Sequence, residues 1–310
     1  MWFEAFLIAI ISSLVSGPLI IRAANRRKAL LVRDMHKKSN LMVSTLGGII
    51  ILAGFCAGML YLVAFGRELV IYLAAFSSIL IVSLLGLLDD VLDLPQSIRV
   101  VLPVFAAAPL VAIRAGVSTM AIPLVGVVDF GIFFQLLIIP LGVTGAANAI
   151  NMVAGLNGLE AGMSSLMTAT FLLISLKLGV PITVAISAVI LGALLGLLFF
   201  NWAPAKILPG NSGSYFAGTA LAAIAIIGNM EKAALIMILP YLIELILKAR
   251  TKFQAESFGK LMKDGTIEAP RIDSLTHLVM RMGRFREWQI VSILMLIEAV
   301  FCAIAYFTAG

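Results

Sequence analysis

Charge is what this sequence has least of: Asp, Glu, Lys and Arg make up 12% of its 310 residues, about half the share of a typical soluble domain. A fold that presents most of its surface to water is thereby excluded. Cysteine is scarce too, and both copies, Cys56 and Cys302, fall inside apolar runs. That placement excludes a disulfide framework or a cysteine metal pair and leaves two small buried hydrophobes. No positive charge precedes the first apolar run, where Glu4 is the only charged residue before Arg22, so the pattern of a cleaved secretory signal is missing. Internal repeats and low-complexity tracts are lacking as well. No polar stretch is long enough for a separate soluble unit, which points to one domain over residues 1–310.

What the chain has in abundance is apolar sequence, with 62% hydrophobic residues and a mean hydropathy of +1.11. Runs of roughly 20 apolar residues recur, each able to cross a hydrocarbon core of about 30 Å as a helix. Ten such runs are expected, at 2–21, 43–65, 69–88, 98–115, 132–150, 159–177, 181–200, 213–228, 232–248 and 289–309. The fold class is therefore an all-α polytopic membrane protein. Basic residues set its orientation. Of the 22 Lys and Arg, only Arg67, Arg114, Lys177 and Lys232 lie outside the segments that follow odd-numbered runs. The positive-inside rule then places both termini outside and the odd-numbered loops in the cytosol. The net charge of +6 is first a topology signal, and a basic inner face also attracts anionic lipids and phosphorylated substrates. Nucleic acid is not an expected partner, because the basic loops alternate with membrane runs. The external segment 116–131, rich in Gly, Pro and β-branched residues, reads as a small hairpin, and 249–288 is the one sizeable extramembrane stretch.

The same odd-numbered loops hold the unusual polar residues. Asp89, Asp90 and Asp93 follow directly on the third run, at a helix C-terminus where the dipole and mutual repulsion disfavour anions. A bound cation or a cationic partner would offset that cost; the alternative is a solvated helix end. Arg99, six residues past Asp93, either snorkels to the interface or faces an anionic group. Asn148 and Asn151 share a helix face at the end of the fifth run, and amides so near lipid are costly unless they bond to something. Gly155, Asn157 and Gly158 suggest tight turns and close approach of backbone to a ligand, and Glu160 follows them. Packing and capping account for the glycines equally well. The segment from Asn201 to Gly218 places Gly210, Asn211, Ser212 and Ser214 ahead of a helix, where backbone N–H groups could meet a phosphate or serve only as a cap. The last loop adds Arg271, His277, Arg281, Arg284 and Arg286.

At these residues the chain resembles the polyprenyl-phosphate N-acetylhexosamine-1-phosphate transferases, the family of the MraY- and WecA-like enzymes, across most of its length. The strongest match is Asn148 to Gly162, where Ala154 and Asn157 stand in place of the aspartates usual in bacterial members. That version points to the dolichol-using branch and to an archaeal source. Asp89, Asp90 and Asp93 match the acidic motif. Asp34, Lys37, Lys38 and Gly47-Gly48 resemble the first-loop motif, without its usual proline, and Ser274 to Arg286 resembles the His-containing last loop. One position departs from the pattern: Gly210-Asn211 stands where the family carries Gly-Asp as a metal ligand. An amide oxygen can coordinate a hard cation, though without negative charge.

The resemblance implies attack of a lipid phosphate on UDP-GlcNAc with release of UMP, as a first membrane step of glycan assembly. It implies Mg²⁺ or Mn²⁺ held by Asn151 and Asn211. Asp89, Asp90, Asp93 and His277 are expected in catalysis. Lys38, Arg99 and Arg271 are expected on phosphate oxygens, Gly155 and Asn157 on the uracil, and Asn148 and Glu160 elsewhere in the substrate site. Expected partners are UDP-GlcNAc, a polyprenyl or dolichyl phosphate, the bilayer and a second copy of the chain in a homodimer. Two other readings stay open, a lipid-linked sugar flippase and a catalytically silent relative that binds lipid phosphate.

Overall fold

The computed structural model describes residues 1–36, 42–122 and 125–309. The first helix, α1 (Trp2–Arg27), shows how the bundle is assembled. Ala5, Ala9, Ser13 and Gly17 form a buried stripe at four-residue spacing, while Leu7, Ile11, Val15 and Leu19 lie exposed. Small residues let neighbouring backbones approach, and branched apolar ones face lipid. A short hairpin of β1 (Leu31–Arg33) and β2 (Met42–Ser44) follows, then α2 (Gly47–Phe65) and α3 (Leu69–Leu92). Helix α3 stops where Asp93 adopts a left-handed conformation ahead of Leu94-Pro95, a stop signal readable in the sequence.

The next stretch is less regular. α4 (Gln96–Ala106) and α5 (Ala108–Ala112) meet at Ala107, just ahead of Pro109. The expected external hairpin is present as β3 (Thr119–Ile122) and β4 (Gly126–Asp129), paired antiparallel. A π-helical turn, Phe134–Ile138, leads into α6 (Ile139–Val153). Then come α7 (Leu159–Leu178), α8 (Pro181–Asn201) and α9 (Gly210–Ile227). α10 (Glu231–Met237) and α11 (Leu239–Arg250) are separated at Ile238, two residues before Pro240, which has no N–H to continue the ladder. The last loop folds as a two-residue ladder, β5 (Lys260–Leu261) with β6 (Ile267–Glu268), followed by α12 (Leu275–Met282), and α13 (Glu287–Thr308) closes the chain. In the turn of that ladder Asp264 accepts the Thr266 hydroxyl and N–H, which holds its carboxyl below the usual range.

Among the described residues, seven helices are long and apolar enough to span a membrane: α1, α2, α3, the π turn with α6, α7, α8 and α13. The chain is a multi-pass all-α membrane protein, but length and composition single out seven helices where the sequence predicts ten runs. The other three predicted runs fall on α4–α5 and α10–α11, each broken near a proline, and on α9, whose first turns are Gly, Asn and Ser. Helix α9 is also the most enclosed, buried continuously from Ser212 to Ile226 and packed against α3 and α6.

Candidate active site

Helix ends meet around one cavity of about 510 Å³, which takes its walls from the β1 strand, the ends of α3 and α6, the starts of α7 and α9, and Phe258 of the last loop. Six of the residues expected from the sequence line it: Asp90, Asn151, Gly155, Asn157, Glu160 and Asn211.

Asp90 is placed by backbone geometry. Its Oδ1 accepts the Asn211 N–H at 2.9 Å and its Oδ2 the Ser212 N–H at 3.2 Å. A carboxylate from α3 thus caps α9, where the helix dipole favours negative charge. Bonds of this charge-assisted kind are worth about 1.5–3 kcal/mol each. Gly210 makes the approach possible: its φ is +67°, and a Cβ there would sit 2.6 Å from Asp90 Oδ2. Across the cavity Ser214 Oγ donates to Glu160 Oε1. Among the described residues the side-chain amides of Asn151 and Asn211 bond to no other protein group. Two free amide oxygens and two carboxylates around the same cavity form an all-oxygen set that suits a hard divalent cation.

Asn157 is held more tightly than a free contact residue would be. Its N–H donates to Glu287 Oε1 at 2.9 Å, and its Nδ2 to Asp34 Oδ2 at 3.0 Å and Glu287 Oε2 at 3.3 Å. His36 joins this group, with Nδ1 3.4 Å from Glu287 Oε1. Asp34, His36 and Glu287 bring ligand atoms within 4.8 Å of one another, but the donors of Asn157 and His36 already occupy those oxygens, so the group works as a cross-link. Asn201 extends it, accepting the Gly158 N–H at 3.0 Å and donating to Ile207 O at 2.9 Å.

The other expected residues do not line the cavity. Asp89 is buried, bonded to the Leu94 N–H at 3.0 Å and paired with Arg99 Nε at 2.9 Å. Arg99 also pairs with Asp93 and donates to Leu94 O at 2.6 Å. Its guanidinium is thus spent on closing the α3 terminus, and Asp93, with 95% of its side chain exposed, points away. Asn148 donates to Thr144 O at 2.9 Å within its own helix. His277 Nε2 donates to Phe258 O at 2.8 Å while Nδ1 accepts the Asp273 N–H at 3.4 Å, so both nitrogens are engaged by backbone. Arg271 is exposed. Lys38 lies outside the described residues. Sequence reasoning passed over Phe258 on the wall and Glu287 behind Asn157, and it took Arg33 only as one of the basic first-loop residues and Ser214 only as part of the segment ahead of α9. Glu287 carried a signal, as an acid at the threshold of an apolar run.

A second cavity of about 320 Å³ lies between α6, α7, α9 and α10, with Met120 of β3 also on its wall. Phe134, Leu141, Met167, Phe171 and Leu221 line it, and Glu231 is its one charged residue. Helices α6, α7 and α9 contribute to both cavities.

Comparison with known proteins adds two findings. The model of glycosyl transferase family 4 matches residues 72–229. A protein of Saccharolobus solfataricus, provisionally named UDP-N-acetylglucosamine–dolichyl-phosphate N-acetylglucosaminephosphotransferase, is 42% identical over 308 residues, covering 96% of this chain and 94% of that one. A Sulfolobus acidocaldarius protein of the same provisional name is 40% identical over 96% of this chain and 93% of its own. The Dictyostelium discoideum enzyme of that name is 30% identical over 56% of this chain and 51% of its own.

Proposed function

The chain belongs to glycosyl transferase family 4, and from that premise we propose that it transfers GlcNAc-1-phosphate from UDP-GlcNAc to dolichyl or another polyprenyl phosphate. A lipid-phosphate oxygen attacks the β-phosphorus of the donor. The bond from that phosphorus to the bridging oxygen breaks, and UMP leaves with the bridging oxygen. Both partners are anions, so charge repulsion and orientation dominate the barrier. The observation that carries this reading is the pairing of the two cavities: a polar one where Asp90, Asn151, Glu160 and Asn211 converge, and an apolar one that shares α6, α7 and α9 with it and suits an isoprenoid tail.

Asp90, fixed by α9 on the wall of the polar cavity, orients the lipid phosphate. Phe258 and the Gly155–Asn157 turn enclose the uridine, with the turn made rigid by Glu287 and Asp34. Arg33 is the described cation on the cavity wall and serves the donor's pyrophosphate. Asn151 and Asn211, with Asp90 and Glu160 beside them, would hold Mg²⁺, which supplies neutralisation of phosphate charge when bound. In this reading the end of the bundle with the basic loops faces the cytosol, where UDP-sugars are found.

The test is release of UMP by purified protein mixed with UDP-GlcNAc and dolichyl phosphate. UMP and a pyrophosphate-linked GlcNAc lipid are expected in equal amounts. No UMP with any UDP-sugar tried would remove the transferase reading and leave a flippase or a silent binder.

A further inference from the structure

One fully buried carboxylate takes no part in the site as described. Glu244 of α11 has no exposed surface. Its oxygens accept the Leu275 N–H at 2.6 Å and the Ser274 hydroxyl at 2.9 and 3.0 Å, and Lys248, one turn on, lies 3.4 Å away. A buried charge persists only when it is paired and hydrogen-bonded, and here both conditions are met by groups from two different parts of the chain. Glu244 caps α12 from outside, where a helix N-terminus favours an anion. Lys248 turns its ammonium to the carbonyl of Met152, one of the orphan acceptors at the end of α6.

Both contacts lead to the cavity. From the start of α12, the Thr276 hydroxyl donates to Ser257 O at 2.7 Å and His277 Nε2 to Phe258 O at 2.8 Å. Phe258 is a wall of the polar cavity, and Ser257 lies 3.1 Å from where a Cβ of Gly155 would be. Met152 follows directly on Asn151, another wall residue. The ion pair therefore ties together the last-loop wall and the α6 wall, on either side of the Gly155 turn.

We propose that Glu244 and Lys248 are positioning residues of the donor subsite: their ion pair clamps the Ser257–Phe258 segment against the end of α6 and so sets the width of the slot that holds the nucleotide. Neither side chain touches the reacting atoms. His277 belongs to the same device, as the strut that fixes Phe258. The clamp's kinetic consequence rests on the transferase reading, whereas its mechanical consequence does not.

The experiment uses Glu244→Gln in the full-length protein, with two readouts. In kinetics, the KM for UDP-GlcNAc rises about tenfold, while kcat and the KM for dolichyl phosphate stay within roughly threefold. In amide exchange followed by mass spectrometry, the 257–259 peptide and the Leu275 amide exchange faster than in the wild type. A merely structural role would lower thermal stability and the amount of active enzyme without moving the donor KM, and that result overturns the proposal. Unchanged exchange at 257–259 overturns it as well. If wild-type protein releases no UMP, the transferase reading fails, and the exchange readout still decides the clamp. Should Glu244→Gln fail to fold, Ser274→Ala removes one bond of the set and is expected to raise the donor KM about threefold, with the same exchange signature; an unchanged donor KM in that variant counts against the clamp.

Discussion

The two cavities share helices α6, α7 and α9 yet have no lining residue in common. At one end, the first turn of α9 and the last turn of α6 bring Asn211, Ser214 and Asn151 to a wall that also carries Asp90 and Glu160. Further along the same helices, Leu221, Ala222 and Ala225 face Leu141, Ala146 and Ile150. The same helices thus present a polar end and an apolar flank. That division suits the proposed reaction between a nucleotide sugar and a lipid, in which each substrate would be met by a surface of its own polarity.

The largest effect expected from breaking this comparison is on the polar side. Asp90→Asn weakens the cap on α9 and removes a charge from the polar cavity's wall, and UMP release should fall about 10²- to 10³-fold in kcat; a rate within threefold of wild type would take Asp90 out of the chemistry. On the apolar side, Gly142 lines the cavity, and a Cβ there meets nothing within 4 Å. Gly142→Leu therefore starts its side chain from an open position on the cavity wall. The KM for dolichyl phosphate should rise about tenfold with the KM for UDP-GlcNAc unchanged, and a rise in both would merge the two cavities into one functional unit. Asn211→Asp sharpens the polar side by restoring a charged ligand, so the Mg²⁺ concentration for half-maximal rate should drop about fivefold, as read from a metal titration after chelation. The smallest effect belongs to Asp93→Asn. Its pair with Arg99 is solvent-exposed, and such pairs contribute about 0–1 kcal/mol, so both KM values and kcat should stay within about twofold.

Much of this arrangement was legible in the sequence because of how membrane proteins segregate polarity. The convergence of odd-numbered loops followed from hydropathy and Lys/Arg bias, and it brought Asp90, Asn151, Asn157, Glu160 and Asn211 into one cavity. The hairpin at 119–129 was readable from its turn and β-branched residues. Other features were hidden for identifiable reasons. Spacing cannot tell a carboxylate aimed into a site from one aimed at its own helix end, so Asp89 and Asp93 looked equivalent to Asp90, and Arg99 looked free when it is held by both of them. Glu287 reaches Asn157 across 130 positions of sequence, a contact no local pattern encodes. A hydropathy window averages over a helix, and the polar first turns that place α9 at the site also bring it below the apolarity of a simple span.

The division between the two cavities is most directly tested by photolabelling with two probes on the same preparation, a uridine-modified UDP-GlcNAc and a polyprenyl phosphate carrying a diazirine in its tail. The nucleotide probe should label Leu156 or Phe258, and the tail probe should label Met167 or Leu235. Both probes labelling the same peptides, or the tail probe labelling Phe258, would contradict the account.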